Sequence, residues 1–145
     1  MKAEFVSYLN SISATDQVMA RVEIILNFYK EACPEDIMDI FICETIKSDG
    51  NREYQSLWLF SEKYAMEAKN FLIQDDFDIM PIKNLMTYCD VQKTEYDFNN
   101  ASEGSRLLVK ISVTHMLNGE LRASKANCNF LKSITLKYFV PNLRE

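Results

Sequence analysis

After Pro34 the spacing of apolar residues changes from about 3.6 to 2, and most of the chain up to about residue 125 keeps the shorter period. Ile40, Ile42 and Ile46 alternate with Phe41, Cys43 and Thr45. β-Branched and aromatic residues at that spacing specify strands, not helix. The breaks between such segments are short and polar: Ser48-Asp49-Gly50-Asn51, Glu62-Lys63 and Asn118-Gly119. Short connections can join only antiparallel neighbours, because parallel strands need a crossover of a dozen or more residues. A long antiparallel meander that buries one face has to curl into a barrel or a sandwich.

About seven strands follow from this reading. They lie near 40–46, 53–61 and 64–69, at a short piece around Ile79 and Met80 halted by Pro81, then at 85–96, from 107 onward and at 120–125. The alternation is cleanest from Leu107, where Val109, Ile111 and Val113 share a face and Lys110, Ser112 and Thr114 take the other. A three-residue loop, Leu117-Asn118-Gly119, would set Val113 opposite Ala123, with Gly119 left-handed in a G1 bulge. Helices precede and follow the strands. Phe5, Val6, Leu9 and Ile12 have helical spacing, as do Val18, Met19, Val22, Ile25, Leu26 and Tyr29. Thr15 or Asp16 caps the second helix and Pro34 ends it. A last helix, with Asn127 as its cap, carries Phe130, Leu131, Ile134 and Tyr138 on one stripe and closes at Pro141. The expected class is α+β in one domain, residues 1–145: a helical extension over 1–35, then seven antiparallel strands and a capping helix over 36–145. A chain of 145 residues can build such a core without staples.

The net charge is -5. That argues against nucleic acid as the ligand. The charge is unevenly spread: residues 1–105 carry a net of -10 and residues 106–145 a net of +5. Cys33, Cys43, Cys89 and Cys128 have neither CxxC nor zinc spacing, and there is one histidine, so no metal and no cofactor is expected. Four unpaired thiols fit an intracellular, cytoplasmic address. The segment Met1-Lys2-Ala3-Glu4-Phe5 does not read as a signal peptide, and apolar runs such as Leu57-Trp58-Leu59-Phe60 are far too short to span a bilayer.

Motifs for phosphate loops, metalloproteases, hydrolase nucleophiles or paired carboxylates are missing, which disfavours an enzyme. His115 continues an apolar strand face and reads as a packed histidine. Asp75, Asp76 and Asp78 lack the Gly and the closing Glu of a calcium loop. Two surfaces remain as candidates. Arg106, Lys110, Arg122, Lys125, Lys132 and Lys137 could form a basic patch for an anionic ligand, an acidic partner or the acidic part of another copy. Trp58 and Phe60 could form an aromatic contact on the strand face opposite Leu57 and Leu59.

Residues 38–140 resemble the pleckstrin-homology-like superfamily, and within it the bacterial pleckstrin-homology and GRAM-like modules. The likeness rests on Ser56-Leu57-Trp58-Leu59-Phe60-Ser61-Glu62-Lys63-Tyr64-Ala65-Met66, on Asp78-Ile79-Met80-Pro81-Ile82-Lys83-Asn84-Leu85, on the Asn118-Gly119 hairpin and on the helix over 127–140. The resemblance implies a seven-stranded barrel plugged by that helix. Eukaryotic members hold lipid headgroups in a basic first hairpin. Here the tip reads Lys47-Ser48-Asp49-Gly50-Asn51-Arg52, a poor phosphate cradle, so phosphoinositide membrane binding is not expected. The expected function is a non-enzymatic interaction module for a protein or peptide partner, homo-oligomers included. The alternative is a small-ligand-binding or enzymatic α+β domain with a cavity between sheet and helix.

Overall fold

The computed structural model describes residues 1–32, 35–46, 52–73, 76–82, 86–94, 106–113 and 119–142. Helix α1 (Ala3–Ser11) leads into α2 (Asp16–Ala32). Strands β1 (Asp39–Ile46), β2 (Arg52–Phe60), β3 (Tyr64–Lys69) and β4 (Phe77–Pro81) form one antiparallel sheet in chain order. Strands β5 (Met86–Thr94), β6 (Arg106–Val113) and β7 (Gly119–Ser124) form a second. Helix α3 (Asn127–Ile134) runs on through a π-helical turn, Thr135–Phe139, and a 3-10 turn, Val140–Asn142. The elements follow the sequence reading closely. Thr15 caps α2 by accepting a hydrogen bond from the Val18 amide.

The four-stranded sheet is buried on both faces. Its register puts Ile40, Ile42, Leu57, Leu59, Met66, Ala68 and Phe77 on one side. Phe41, Cys43, Ser56, Trp58, Phe60, Ala65 and Met80 take the other. Helix α2 covers the first side, where the Tyr29 ring meets Phe77 at 4.2 Å and Phe28 stacks on it at 5.3 Å. The C-terminal helix covers the second, with Tyr138 stacked on Phe60 at 4.7 Å and Phe139 edge-on at 5.8 Å. Both Tyr138 and Phe139 can point inward because i→i+5 bonding widens the turn that carries them. Trp58 and Phe60 are therefore not an exposed aromatic contact, as the sequence had suggested; both are 0% exposed. A strand apolar on both sides needs two covering layers, and the helices at the two ends of the chain supply them.

The helical segment is no appendage, because Leu9, Ile12, Val22 and Ile25 join both sheets in one core. Each fully buried apolar side chain of this size contributes about 1.5–3 kcal/mol. Leu26, at the edge of the α2 stripe, is only half-buried.

Of the barrel or sandwich expected from the sequence, a closed barrel is not formed. No backbone ladder joins β1 to β7 among the described residues, so the strands form two sheets meeting at a seam. Side chains bridge that seam. The Tyr8 hydroxyl accepts a hydrogen bond from the Ile42 amide at 2.9 Å and donates one to Asn127 Oδ1 at 2.8 Å. Asn127 Nδ2 donates to the Ile42 carbonyl at 2.9 Å. Further along, Ser124 donates to buried Glu44 at 3.1 Å. Asn127 thus does not cap α3 as expected; its side chain is spent on the edge of β1, and the α3 N-terminus has no side-chain cap.

The β6–β7 register also differs. Val109 lies opposite Leu121, Leu107 opposite Ala123 and Ile111 opposite Gly119, so Val113 does not face Ala123. The parity of the reading survives, since Leu121 and Ala123 share the inward face with Leu107, Val109 and Ile111. Gly119 is not left-handed. It is needed for close approach instead: a methyl group there would lie 3.0 Å from Trp58 Cη2 and 3.0 Å from Ile111 Cγ1. Close packing against the Trp58 ring, and not a positive φ, is what calls for glycine at this position.

Two substitutions test this construction. Tyr8→Phe leaves the Ile42 amide and Asn127 without their buried partner and should cost about 1–3 kcal/mol in denaturant melts. Gly119→Ala should cost about 1–3 kcal/mol through overpacking against Trp58 and Ile111.

Candidate functional site

Where α3 crosses the three-stranded sheet, its packing stops short of β5. Leu131, Ile134, Tyr138 and Phe139 point into the core, whereas Leu136 and Val140 lie off that stripe and stay open to solvent. Beneath them, Val91 on β5 is 49% exposed although it sits on the inward face, opposite Val109. The result is a groove of about 230 Å³ lined by Val91, Leu107, Cys128, Lys132, Leu136 and Val140, together with Asn129 and Thr135. Among the described residues that line it, Lys132 carries the one charge. β5 pairs only with β6 among the described residues, so the strand beside the groove is a sheet edge.

The groove offers shape and apolar surface but little for catalysis. Thr135 donates its hydroxyl back to the Leu131 carbonyl at 2.8 Å and is thereby satisfied within the helix. On the neighbouring strand, burial pushes the Cys89 thiol up, the opposite of what an activated nucleophile needs. A wider hollow of about 680 Å³ lies between α1, α2 and residues 35–37. It mixes Lys2 and Lys30 with Glu35 and Asp36, and Lys2 is already held by Asp36 and the Ile37 carbonyl, each at 2.7 Å. It therefore presents no single charge to a ligand.

The six basic residues singled out in the sequence do not share one surface. Arg106, Lys110 and Arg122 lie on the face of β6 and β7 that points away from the core. There Arg122 pairs with Glu120 at 3.1 Å, and Lys110 has Asp90 on one side and Glu120 on the other. Lys125 is the left-handed residue that turns the chain from β7 into α3. Lys132 stands at the groove with residues of the inward face. Lys137 bonds Asp39 of β1 at 2.7 Å, beside the hydrogen bond that Tyr138 donates to the same carboxylate. Burial, with the Asp39 carboxylate adding to it, holds the Tyr138 hydroxyl well above the usual phenol range. Asp39 thus ties the far end of the C-terminal helix to β1.

The Trp58 side of the four-stranded sheet carries a carboxylate, Glu67. It lies across from Trp58 on β2 and Asp78 on β4. Lys69 is 3.1 Å from Asp78 and 4.0 Å from Glu67. Burial raises the Glu67 carboxyl above its ordinary range despite that cation. The nearby Cys43 thiol is pushed up to about 12 by burial and is inert. Among the described residues no group of three or more His, Cys, Asp or Glu is placed to hold a metal ion. No described helix is long and apolar enough to cross a membrane. His115, Asp75, Cys33, the first hairpin tip around 47–51 and the Asn118 turn lie outside the described residues.

Comparison of the chain with protein-family models, with curated proteins and with solved structures finds no match. The groove residues Val91, Leu136 and Val140 were not singled out in the sequence. The signal was present in the last two, which are apolar, spaced i and i+4, and off the buried stripe of their helix.

Glu67 gives a pH test of the inward face. A carboxyl raised in the folded state binds its proton more tightly there than in the unfolded chain. Stability therefore falls as pH rises from the ordinary value of 4.5 through the raised folded one. Glu67→Gln should abolish that decline and melt higher than the parent at neutral pH, with the difference closing near pH 4. Lys69 keeps Asp78 as its partner in the variant.

Proposed function

We propose that this chain is a non-enzymatic interaction module of the pleckstrin-homology-like kind, and that its groove takes an extended peptide segment of a protein partner laid along β5. One observation carries this reading: an edge strand lies directly beside an apolar groove whose exposed side chains, Leu136, Val140 and Val91, have no partner in the core. An added strand would gain main-chain hydrogen bonds from β5, and alternate side chains would enter the groove. Lys132 favours a segment with an acidic residue next to its apolar anchor. The order of four strands, three strands and a covering C-terminal helix supports the family resemblance.

The alternative, a small-ligand cavity between sheet and helix, has less in its favour. The space between them is filled by Trp58, Phe60, Tyr138 and Phe139. The groove, at about 230 Å³, falls below the range of roughly 300–1,000 Å³ usual for small-molecule sites. Selection of a random peptide library on the full chain should enrich short apolar segments flanked by Asp or Glu. Leu136→Asp should weaken the selected peptide at least about tenfold, a loss of about 1.4 kcal/mol. Failure to enrich any peptide, together with specific melting shifts from small metabolites, would favour the cavity reading instead.

A further inference from the structure

A second apolar surface lies on the other sheet, away from the groove residues. Along α2, Ile24 and Phe28 are 53% and 50% exposed, one helical turn apart, beside the buried stripe of Ile25 and Tyr29. Phe28 stacks on Phe77 of β4, and Ile79, two residues on and on the same face, is 50% exposed. The four side chains make one continuous strip across a helix and the edge strand of the four-stranded sheet. Neither Ile24, Phe28 nor Ile79 is used by the core or by the proposed peptide site.

Among the described residues no strand pairs with the outer side of β4. The Ile82 amide donates to the Lys63 carbonyl on the β3 side. By the alternation of an antiparallel ladder, Met80 and Asp78 turn their backbone groups toward β3, and Phe77, Ile79 and Pro81 turn theirs outward. Those three residues are also the ones whose side chains lie on the apolar face. An antiparallel copy of β4 centred on Ile79 would pair each Ile79 with the other in both directions. It would also set each Phe77 amide against the carbonyl of the partner's Pro81. Proline lacks an amide, so each Phe77–Pro81 pair makes one of its two bonds and the Phe77 carbonyl at either end of the joint stays with water. Asp78, on the opposite face, keeps its own Lys69 at 3.1 Å, so pairing buries no unpartnered charge.

We propose that the chain forms a two-fold dimer in which β4 pairs with β4 of a second copy about Ile79, and Ile24 and Phe28 of the two α2 helices pack together over the joint. The axis is perpendicular to the sheet, so both α2 helices stand on the same side, as an isologous contact requires. The half-exposed Ile24, Phe28 and Ile79 supply on the order of 300 Å² of apolar surface per copy. With the strand edge and the polar rim around it, that centre suits a standard interface of roughly 800 Å² per partner.

Sedimentation equilibrium of the full chain, from about 1 μM to about 1 mM, tests this. The expected result is a monomer–dimer equilibrium that Ile79→Lys weakens by about 100-fold or more, because the new charge would sit on the two-fold axis. Phe28→Glu should act alike from a different element, and circular dichroism checks that each variant is folded. Leu136→Asp, in the peptide groove, should leave the dimer intact, which separates this proposal from the peptide reading. A chain that stays monomeric up to the highest concentration, or a dimer that withstands both Ile79→Lys and Phe28→Glu, would overturn it.

Discussion

The hydroxyl of Tyr8 and the amide of Asn127 hold the two ends of this protein against the middle of β1. Ile42 turns its backbone N–H and C=O away from β2, into a seam where no strand pairs with it. Buried backbone groups left this way would cost about 1–3 kcal/mol each. One hydroxyl from α1 and one carboxamide from α3 satisfy both groups and each other. The N-terminal helix, the first strand and the C-terminal helix are thereby fixed in one place, and the two sheets meet without a shared ladder. A residue 119 positions away in sequence supplies the partner, so the seam can form only when the whole chain has folded.

Because each end of the chain covers one side of the four-stranded sheet, that sheet is buried like the central layer of a three-layer fold. Trp58 fills the contact between the sheets, and Gly119 yields space to it. Among the described residues, two clusters of apolar surface lie beside strands that end a sheet. At β5 this is the groove under Leu136 and Val140; at β4 it is the strip shared by Ile24, Phe28 and Ile79. Both lie beside strands with no outer partner among the described residues, and natural sheets usually blunt such edges. We propose a peptide for the first edge and a second copy for the other.

Electrostatics play a smaller part than the uneven charge along the sequence suggests. Arg122 and Lys137 are occupied by Glu120 and Asp39, and Lys110 has acidic neighbours on both adjacent strands. Exposed pairs of this kind contribute little to stability, but they cancel the field a basic patch would need. Of the six basic residues, Lys132 stands where its charge bears on the groove.

The residues by themselves determined the secondary structure, because apolar period, Thr15, Pro34 and the polar turns act over a few neighbours. They also determined which face of each strand is apolar: Leu121 and Ala123 join Leu107 and Val109 in the core even though the β6–β7 register is not the one a tight turn would give. Parity is set locally by the pleat, whereas register answers to packing at a distance, here to Trp58 against Gly119. Only the tertiary structure decided that Trp58 and Phe60 are core, that Asn127 serves β1 and not its own helix, and that the six basic residues part company. Each of those outcomes depends on which element arrives to cover which face. A single-residue property such as hydrophobicity or charge does not encode that arrival, because burial and pairing belong to contacts between segments far apart in the chain.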